Sequence, residues 1–518
     1  MSTAPAPEDL TQPYGSYTAI LARWAEVQPD KPALRDETGE LSWAELHERI
    51  ERIAARLIED GLERGQSVAI LGTSTINYAL VFLAAVRASG VAAPLTTSAS
   101  AEQLAGMAAD SGAKHIFIDR AKLTELGDEC FAGMTRIVLD EDLDDWMAPA
   151  GTAAPAITPE PGDPFNIIYS SGTTGTPKGI VHSHQMRWRQ FAFTAASFLE
   201  SGGPVVSLAS TPLYSNTTMV AFLPPLLAGG TVRVMGKFDC ARWCDHAASD
   251  GTTITMLVPV QYQRLMDFDG FDNFDLSALR MKYCTSAPFS AELKREVLRR
   301  MPGGLVEIYS MTEGGVVCLL AAHEFPDKLH TVGRPAPGSE LKVLDDEDHE
   351  VPPGTPGNLV GLSQTMMSGY KNQPGKTRDG YWTHPDTGVS WQRMGDIGRI
   401  DAEGFVELVG RAKDMIISGG FNIYPVDLET ELLKEDDVAE AAVIGMPSRQ
   451  WGETPVGFVT LKPGARAPED IRTAVNARLG KTQRIAALHA IEEMPRSHIG
   501  KLLKTELRAI GESIGLPA

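Results

Sequence analysis

The chain is short of everything that would mark a secreted, membrane-spanning or nucleic-acid-binding protein. Its five cysteines, Cys130, Cys240, Cys244, Cys284 and Cys318, form no disulfide framework, which predicts a reducing compartment. The set Cys240, Cys244 and His246 matches no common zinc spacing, and its i, i+4 relation predicts small buried residues on a helix. His182-x-His184 is an equally sparse metal signal. No apolar run reaches membrane-spanning length; the nearest, residues 78–95, contains Arg87, Ser89 and Gly90. Residues 1–14 are acidic and Pro-rich without a basic stretch, unlike a signal peptide. Basic charge is scarce too. Forty-seven Lys and Arg face 67 Asp and Glu, a net charge of −20 spread along the chain. That excludes general nucleic-acid binding and attraction to an anionic membrane. A cytoplasmic protein is predicted, and any anionic ligand has to be held by local features.

What is present is the composition of a globular protein, 43% hydrophobic and 22% charged, at a length (518 residues) that implies two or more domains. Ser42-Trp-Ala-Glu45 reads as a capping box, and Leu46, Ile50, Ile53, Leu57 and Ile58 follow at helical spacing until Gly61. A strand is predicted at 68–71, a helix at about 77–88, and strands near 91–93 and 115–118. Strands alternating with helices predict βαβ units and a mostly parallel sheet. Residues 151–164, rich in Ala and Pro, form a linker-like approach to a strand-like run at 165–168. Further strands are predicted at 205–208, 231–234, 255–258 and 281–283, with a helix at 291–300. From 330 to 410 glycine and proline turns are frequent, as in a small β-rich subdomain. The character changes again at Gly410-Arg411-Ala412-Lys413-Asp414, after which a compact α+β domain is expected, with a helix at 425–433 and strands near 441–444, 456–461 and 487–491. The predicted fold class is α/β: a large N-terminal domain of layered βαβ sheets plus the β-rich subdomain over 1–410, then a small α+β domain over 414–518.

Between two strand-like runs, 165–168 and 180–181, lies Tyr169-Ser-Ser171-Gly172-Thr173-Thr174-Gly175-Thr176-Pro177-Lys178-Gly179. Its glycines let the backbone approach a ligand, and consecutive N–H groups make an anion-binding nest. A plain surface turn explains the glycines. It does not explain four hydroxyls (Ser171, Thr173, Thr174, Thr176) and one lysine between two buried strands. The loop reads as a phosphate cradle. It is not a Walker A motif, because Lys178 follows Pro177 and no Ser or Thr comes after it; the dinucleotide fingerprint G-x-G-x-x-G is also absent from the loop.

The loop closely resembles the signature of the adenylate-forming superfamily of acyl- and aryl-CoA synthetases, peptide-synthetase adenylation domains and luciferases. Further stretches come in that family's order, and the resemblance covers about residues 15–510. Tyr283-Cys-Thr-Ser286-Ala287-Pro288 stands where the family has a turn lining the nucleotide and acyl pocket. Tyr309-Ser-Met-Thr312-Glu313 is similar to Y-G-x-T-E, which implies adenine stacking by Tyr309, an α-phosphate contact for Thr312 and Mg²⁺ for Glu313. Each role suits its residue, since an aromatic face meets a base and a hard carboxylate meets Mg²⁺. Met394-Gly-Asp396 resembles T-G-D, with Met394 in place of threonine, and implies ribose binding by Asp396. Arg411 is implied to touch the ribose too, and Lys413 to be the pivot of a hinge at 411–413. Ser418-Gly419-Gly420 and Trp451 are implied to line the pantetheine passage. Pro495-Arg-Ser-His498-Ile499-Gly500-Lys501 resembles the C-terminal P-R-T-x-x-G-K motif, departing from it at His498 and Ile499, and implies that Lys501 is the adenylation lysine.

The resemblance therefore implies an AMP-forming acid–thiol ligase using ATP, Mg²⁺ and coenzyme A, with 1–410 as the adenylation domain and 414–518 as a mobile lid. Ser171, Gly172, Thr173, Thr174, Gly175 and Lys178 would hold the β- and γ-phosphates, and Ser286, Ala287 and Pro288 would border the nucleotide. The acid pocket is expected among Tyr214, Ser215, Asn216, Tyr283, Met311, Gly314 and Gly315. Residues 212–216, Pro-Leu-Tyr-Ser-Asn, lack the gating histidine many relatives carry there. Gly314 and Gly315 are expected to leave room for a bulky acid, and the absence of Lys or Arg in these stretches favours an aromatic or medium-chain apolar monocarboxylate. Loading of a carrier protein in trans is the alternative within the family, since no carrier serine motif follows Lys501. A luciferase-type oxygenase is more remote, and an inactive homologue serving as a binding module belongs to another class. The expected partner is a small-molecule carboxylic acid, without nucleic acid or a membrane span, and a homodimer is compatible with this reading.

Overall fold

The capping box at Ser42 forms as expected in the computed structural model, which describes residues 3–127, 129–170, 178–418, 421–448, 451–480, 483–497 and 500–514. The Ser42 side chain accepts from the Glu45 amide and Glu45 accepts from the Ser42 amide, which satisfies two amide donors at the helix start. The helix Trp43–Glu59 then buries Trp43, Leu46, Ile50, Ile53 and Leu57. By contacts the chain forms two compact units: Met1–Leu329 with Ala336–Glu340 and Leu362–Gln392, and His330–Pro335 with Leu341–Gly361 and Arg393–Ala518.

The larger unit carries two sheets. One is seven-stranded, in the order Gly369–Tyr370, Lys178–Ser183, Pro164–Ser170, Val91–Pro94, Ser67–Leu71, His115–Ile118 and Thr135–Val138. The last five of these strands run parallel, as the βαβ pattern predicts, and the first two are antiparallel. Every residue of Ser67–Leu71 is buried, as a parallel strand covered on both faces requires. In the other sheet Pro32–Arg35, Thr231–Val234, Val206–Ala209, Ile254–Leu257, Met281–Cys284 and Gly304–Met311 are parallel neighbours in that order. The antiparallel strands Glu40–Ser42 and Gly314–Ala321 flank them. Two strands begin one residue away from the position expected, at Val206 and Ile254, because the ladder with neighbouring strands sets their ends. Pro32–Arg35 shows no alternation and begins with proline, and it becomes a strand only through its neighbours.

In the smaller unit Val438–Ser448 and Gly452–Leu461 form a long antiparallel pair, joined by Ile416–Ser418, Phe421–Ile423 and Ala487–Ala490. Strand alternation feeds two cores. Ile416, Val443 and Val459 pack with Leu428, Leu432, Ile471 and Val475 of the helices Pro425–Leu433 and Pro468–Asn476. Ala442, Ile444 and Phe458 pack with Met494 and Leu507. Residues 393–411, including the antiparallel pair of Asp396 with Arg411, belong to this compact unit.

The thiols behave as small core residues where buried. Cys244 is buried on the helix Cys240–Ser249, with its pKa pushed up to about 12 by desolvation, whereas Cys240 is only half-buried. Among the described residues no cluster of three or more His, Cys, Asp or Glu could hold a metal ion, and no helix is long and apolar enough to cross a membrane.

His184 opens the helix His184–Ser201 and is buried edge-on against Phe165, with ring centroids 5.0 Å apart. Burial depresses its pKa to about 4, so it folds as the neutral imidazole. The unfolded chain protonates it near pH 6.5, so its stability contribution is complete above that pH and is lost as pH falls toward about 4. The loss amounts to roughly 3 kcal/mol. His184→Leu is expected to flatten the decline of Tm between pH 6.5 and 4, and an unchanged slope in thermal melts would count against this account.

Candidate active site

The strand Gly304–Met311 turns directly into Gly314–Ala321, with Met311 opposite Gly314, so Thr312 and Glu313 form the tip of the hairpin. The tip sits where parallel strands end at their carboxyl termini, the usual ligand edge of an α/β sheet. Gly314 and Gly315 adopt φ of +95° and +83°. A Cβ on Gly314 would lie 2.3 Å from the Thr365 carbonyl oxygen and 2.6 Å from Met366 Cα. The space that Gly314 was expected to leave for a bulky acid is thus filled by the backbone of residues 365–366. That segment is pinned where the Met367 amide donates to the Glu313 carbonyl at 2.8 Å.

Two side chains tie this tip to the phosphate-loop hairpin. Tyr370 donates its hydroxyl to Glu313 Oε1 at 2.8 Å, and its ring lies 5.1 Å from the Lys178 ammonium, a cation–π contact. His182, on the strand that Lys178 opens, donates from Nε2 to the Thr312 carbonyl at 2.7 Å. Lys178, Glu313 and Thr312 therefore converge. The loop residues Ser171, Gly172, Thr173, Thr174 and Gly175 lie outside the described residues. The strands on either side of them pair antiparallel with each other, with Ser170 opposite Lys178.

Neighbouring strand ends supply the rest. Tyr309 is half-buried two residues before the end of its strand. After Met281–Cys284 the chain turns through Ser286, whose φ of +84° is rare for a residue with a side chain. Its hydroxyl and that of Thr217 bond at 2.5 Å, which joins this turn to the predicted acid pocket. Ala287 is half-buried and Pro288 exposed. In the pocket loop, Ser215 accepts from the Thr217 amide and starts the short helical turn Asn216–Thr218. Asn216 Oδ1 accepts from Arg187 at 2.8 Å. Burial raises the phenols of Tyr214 and Tyr283, the latter to about 12, so both are neutral. Met311 is half-buried at the hairpin end.

In the smaller unit, Asp396 and Arg411 are register partners, and Arg411 Nε donates to Asp396 Oδ1 at 2.8 Å. Asp396 is buried and Arg411 exposed. Lys413 lies in a short helical turn, Ala412–Asp414, and desolvation lowers its pKa. Trp451 is 43% exposed and lines a cavity of about 560 Å³ with Ser418, Arg472, Asn476 and Arg484. Gly419 and Gly420 lie outside the described residues, as do His498 and Ile499. Lys501 is exposed, and its carbonyl accepts from the Ser497 amide at 2.8 Å.

Sequence reasoning missed Tyr370 and Arg187, and saw His182 only as a faint metal signal. Tyr370 and Glu313 are 57 residues apart, and His182 and Thr312 130 apart, so no local spacing could reveal either contact.

A conserved-domain description, AMP-binding enzyme, matches residues 21–371, and its companion, AMP-binding enzyme C-terminal domain, matches 427–501. The chain belongs to the AMP-binding enzymes of the adenylate-forming superfamily. It is 32% identical over 497 residues to a feruloyl-CoA synthase of Amycolatopsis sp., covering 94% of this chain and 97% of that protein. It is 30% identical over 514 residues to an indoleacetate–CoA ligase of Aromatoleum aromaticum, covering 94% and 96%. The ATP-bound crystal structure of MatB from Rhodopseudomonas palustris superposes with a TM-score of 0.85 at 28% identity, covering 96% of this chain and 99% of that one.

Removing the Tyr370 hydroxyl isolates its bond to Glu313 while leaving the ring under Lys178. With Glu313 proposed as a Mg²⁺ ligand, Tyr370→Phe is expected to leave Tm nearly unchanged and to raise the Mg²⁺ concentration for half-maximal rate by roughly tenfold, as for the loss of a partner that orients a ligating carboxylate. An unaltered Mg²⁺ titration would show that this bond does not orient Glu313 for the cation.

Proposed function

We propose that this protein is an AMP-forming carboxylate–CoA ligase. The observation that carries the reading is the convergence of Lys178, Tyr370, Glu313 and Thr312 at the carboxyl ends of the strands. A carboxylate oxygen of the acid attacks the α-phosphorus of ATP, the bond to the β-phosphate oxygen breaks, and pyrophosphate leaves. The coenzyme A thiolate, its proton having gone to solvent, then attacks the acyl carbon and AMP departs.

Both reactants of the first step are anions, so its barrier is largely charge repulsion, and the remedy is fixed positive charge and oriented donors. In this reading Lys178 and the loop 171–175 hold the β- and γ-phosphates, and Thr312 donates to the α-phosphate. Tyr309 stacks on adenine, Ser286, Ala287 and Pro288 border the nucleotide, and Asp396 with Arg411 takes the ribose. Glu313 suits Mg²⁺, a hard cation bound through one or two carboxylates together with phosphates; when bound, it neutralises phosphate charge. Lys501 bridges the attacking carboxylate and the α-phosphate. Rotation about Lys413 then withdraws Lys501 and brings Gly419, Gly420 and Trp451 to the thiol passage. Trp451, Arg472 and Arg484 line one cavity and offer a π-face and guanidinium groups to the adenine and phosphates of coenzyme A.

The acid is an aromatic or medium-chain apolar monocarboxylate, bound among Tyr214, Ser215, Asn216, Tyr283, Met311 and Gly315. The aromatic lining and the feruloyl and indoleacetate groups in the relatives' names support this class, and no Lys or Arg among 214–218, 283–286 or 314–316 offers a partner to a second carboxylate. The reaction is placed in the cytoplasm, where ATP and coenzyme A are both at hand.

Pyrophosphate release across a panel of aromatic and medium-chain acids, followed by detection of the CoA thioester, tests the reading. Acid-dependent pyrophosphate release with thioester only on an added carrier protein would replace coenzyme A as acceptor. Lys501→Ala is expected to abolish adenylation while supplied acyl-adenylate still reacts with coenzyme A; equal loss of both half-reactions would refute that division of labour. Lys413→Pro, which fixes φ, is expected to spare pyrophosphate release and slow thioester formation, and an unaltered thioester rate would remove Lys413 as the pivot.

A further inference from the structure

Arg187 is fully buried on the helix His184–Ser201, and among the described residues no carboxylate lies within ion-pair reach of it. Its guanidinium donates only to neutral acceptors: Nε to Asn166 Oδ1 at 2.9 Å, one terminal nitrogen to Gln190 Oε1 at 2.7 Å and Asn216 Oδ1 at 2.8 Å, and the other to His182 Nδ1 at 2.8 Å. A buried cation without a counter-ion is costly, and burial pulls its pKa down to about 9.

Two of these acceptors lead to different segments assigned to the site. Asn216 belongs to the acid pocket. His182 accepts at Nδ1, so its hydrogen sits on Nε2 and is donated to the Thr312 carbonyl. Burial and the adjacent guanidinium hold His182 well below its ordinary pKa, which keeps this neutral tautomer. An unbroken hydrogen-bonded path thus runs from Asn216 through Arg187 and His182 to Thr312.

We propose that Arg187 is a positioning residue for adenylation: through Asn216 and His182 it holds the acid pocket in register with the α-phosphate contact at Thr312. This rests on the assignment of Asn216 and Thr312 to the ligand site. A simple structural brace predicts lost stability; registration predicts that the two arms act on the reaction as one unit, because an acid correctly held on one side gains nothing if the other side has shifted.

The test is a double-substitution cycle of His182→Ala and Asn216→Ala, with kcat/KM for the acid read by pyrophosphate release and folding checked by thermal melts. The cycle is repeated in Arg187→Lys, which keeps the cation and loses the fork that reaches both arms. Each single substitution is expected to lower kcat/KM, and the double to fall no further than about the worse single, a departure from multiplicative behaviour of roughly fivefold or more. In Arg187→Lys the two effects are expected to become independent. Multiplicative losses in the parent enzyme, or an undiminished coupling in Arg187→Lys, would overturn the proposal. Thr312→Val separates the two levels: a wild-type rate there removes the site assignment and the proposal with it, whereas a slowed Thr312→Val with multiplicative arms overturns the registration alone.

Discussion

A chain of net charge −20 that brings a carboxylate and a triphosphate together has to place each cation individually, because its general field repels both ligands. The larger unit meets this constraint with two cations in different settings. Lys178 stands at the open end of a strand with its ammonium over the Tyr370 ring, close to where phosphates are proposed to bind. Arg187 is buried among neutral acceptors, and among the described residues no carboxylate pairs with it.

The hairpin tip is held through its backbone. A two-residue turn leaves Thr312 and Glu313 little freedom, and Gly314 lets the segment 365–366 pack against it more closely than any side chain would allow. The Met367 amide and the Tyr370 hydroxyl then hold the carbonyl and the carboxylate of Glu313. The smaller unit repeats the device at Asp396 and Arg411, where strand register sets a buried acid opposite a more exposed base.

Local signals were readable wherever one segment's own physics decides its state. The capping box at Ser42, the helices Ala291–Arg300 and Pro425–Leu433, and the alternation of strands with helices formed as read. The strands around the phosphate loop formed as well, since two apolar runs joined by a Gly-rich loop have few other ways to bury themselves. Less legible were Pro32–Arg35, which has no pattern of its own, and the packing of 393–411 with the C-terminal residues, which depends on contacts far away in the chain. Gly314 was read as pocket volume because a sequence shows a missing side chain and not what fills its place.

The amino-acid sequence alone determined the α/β class, the order of the motifs and the chemical types at the site, because hydrophobic period, turn chemistry and ligand type are properties of neighbouring residues. Only the tertiary structure decided which groups act together. Tyr370 meets Glu313 across 57 residues and His182 meets Thr312 across 130. Arg187, an unremarked residue in a helix, became the junction between two loops because the fold closed around it and left it only neutral acceptors. Such pairings follow from which surfaces are buried against each other, and no spacing along the chain encodes them.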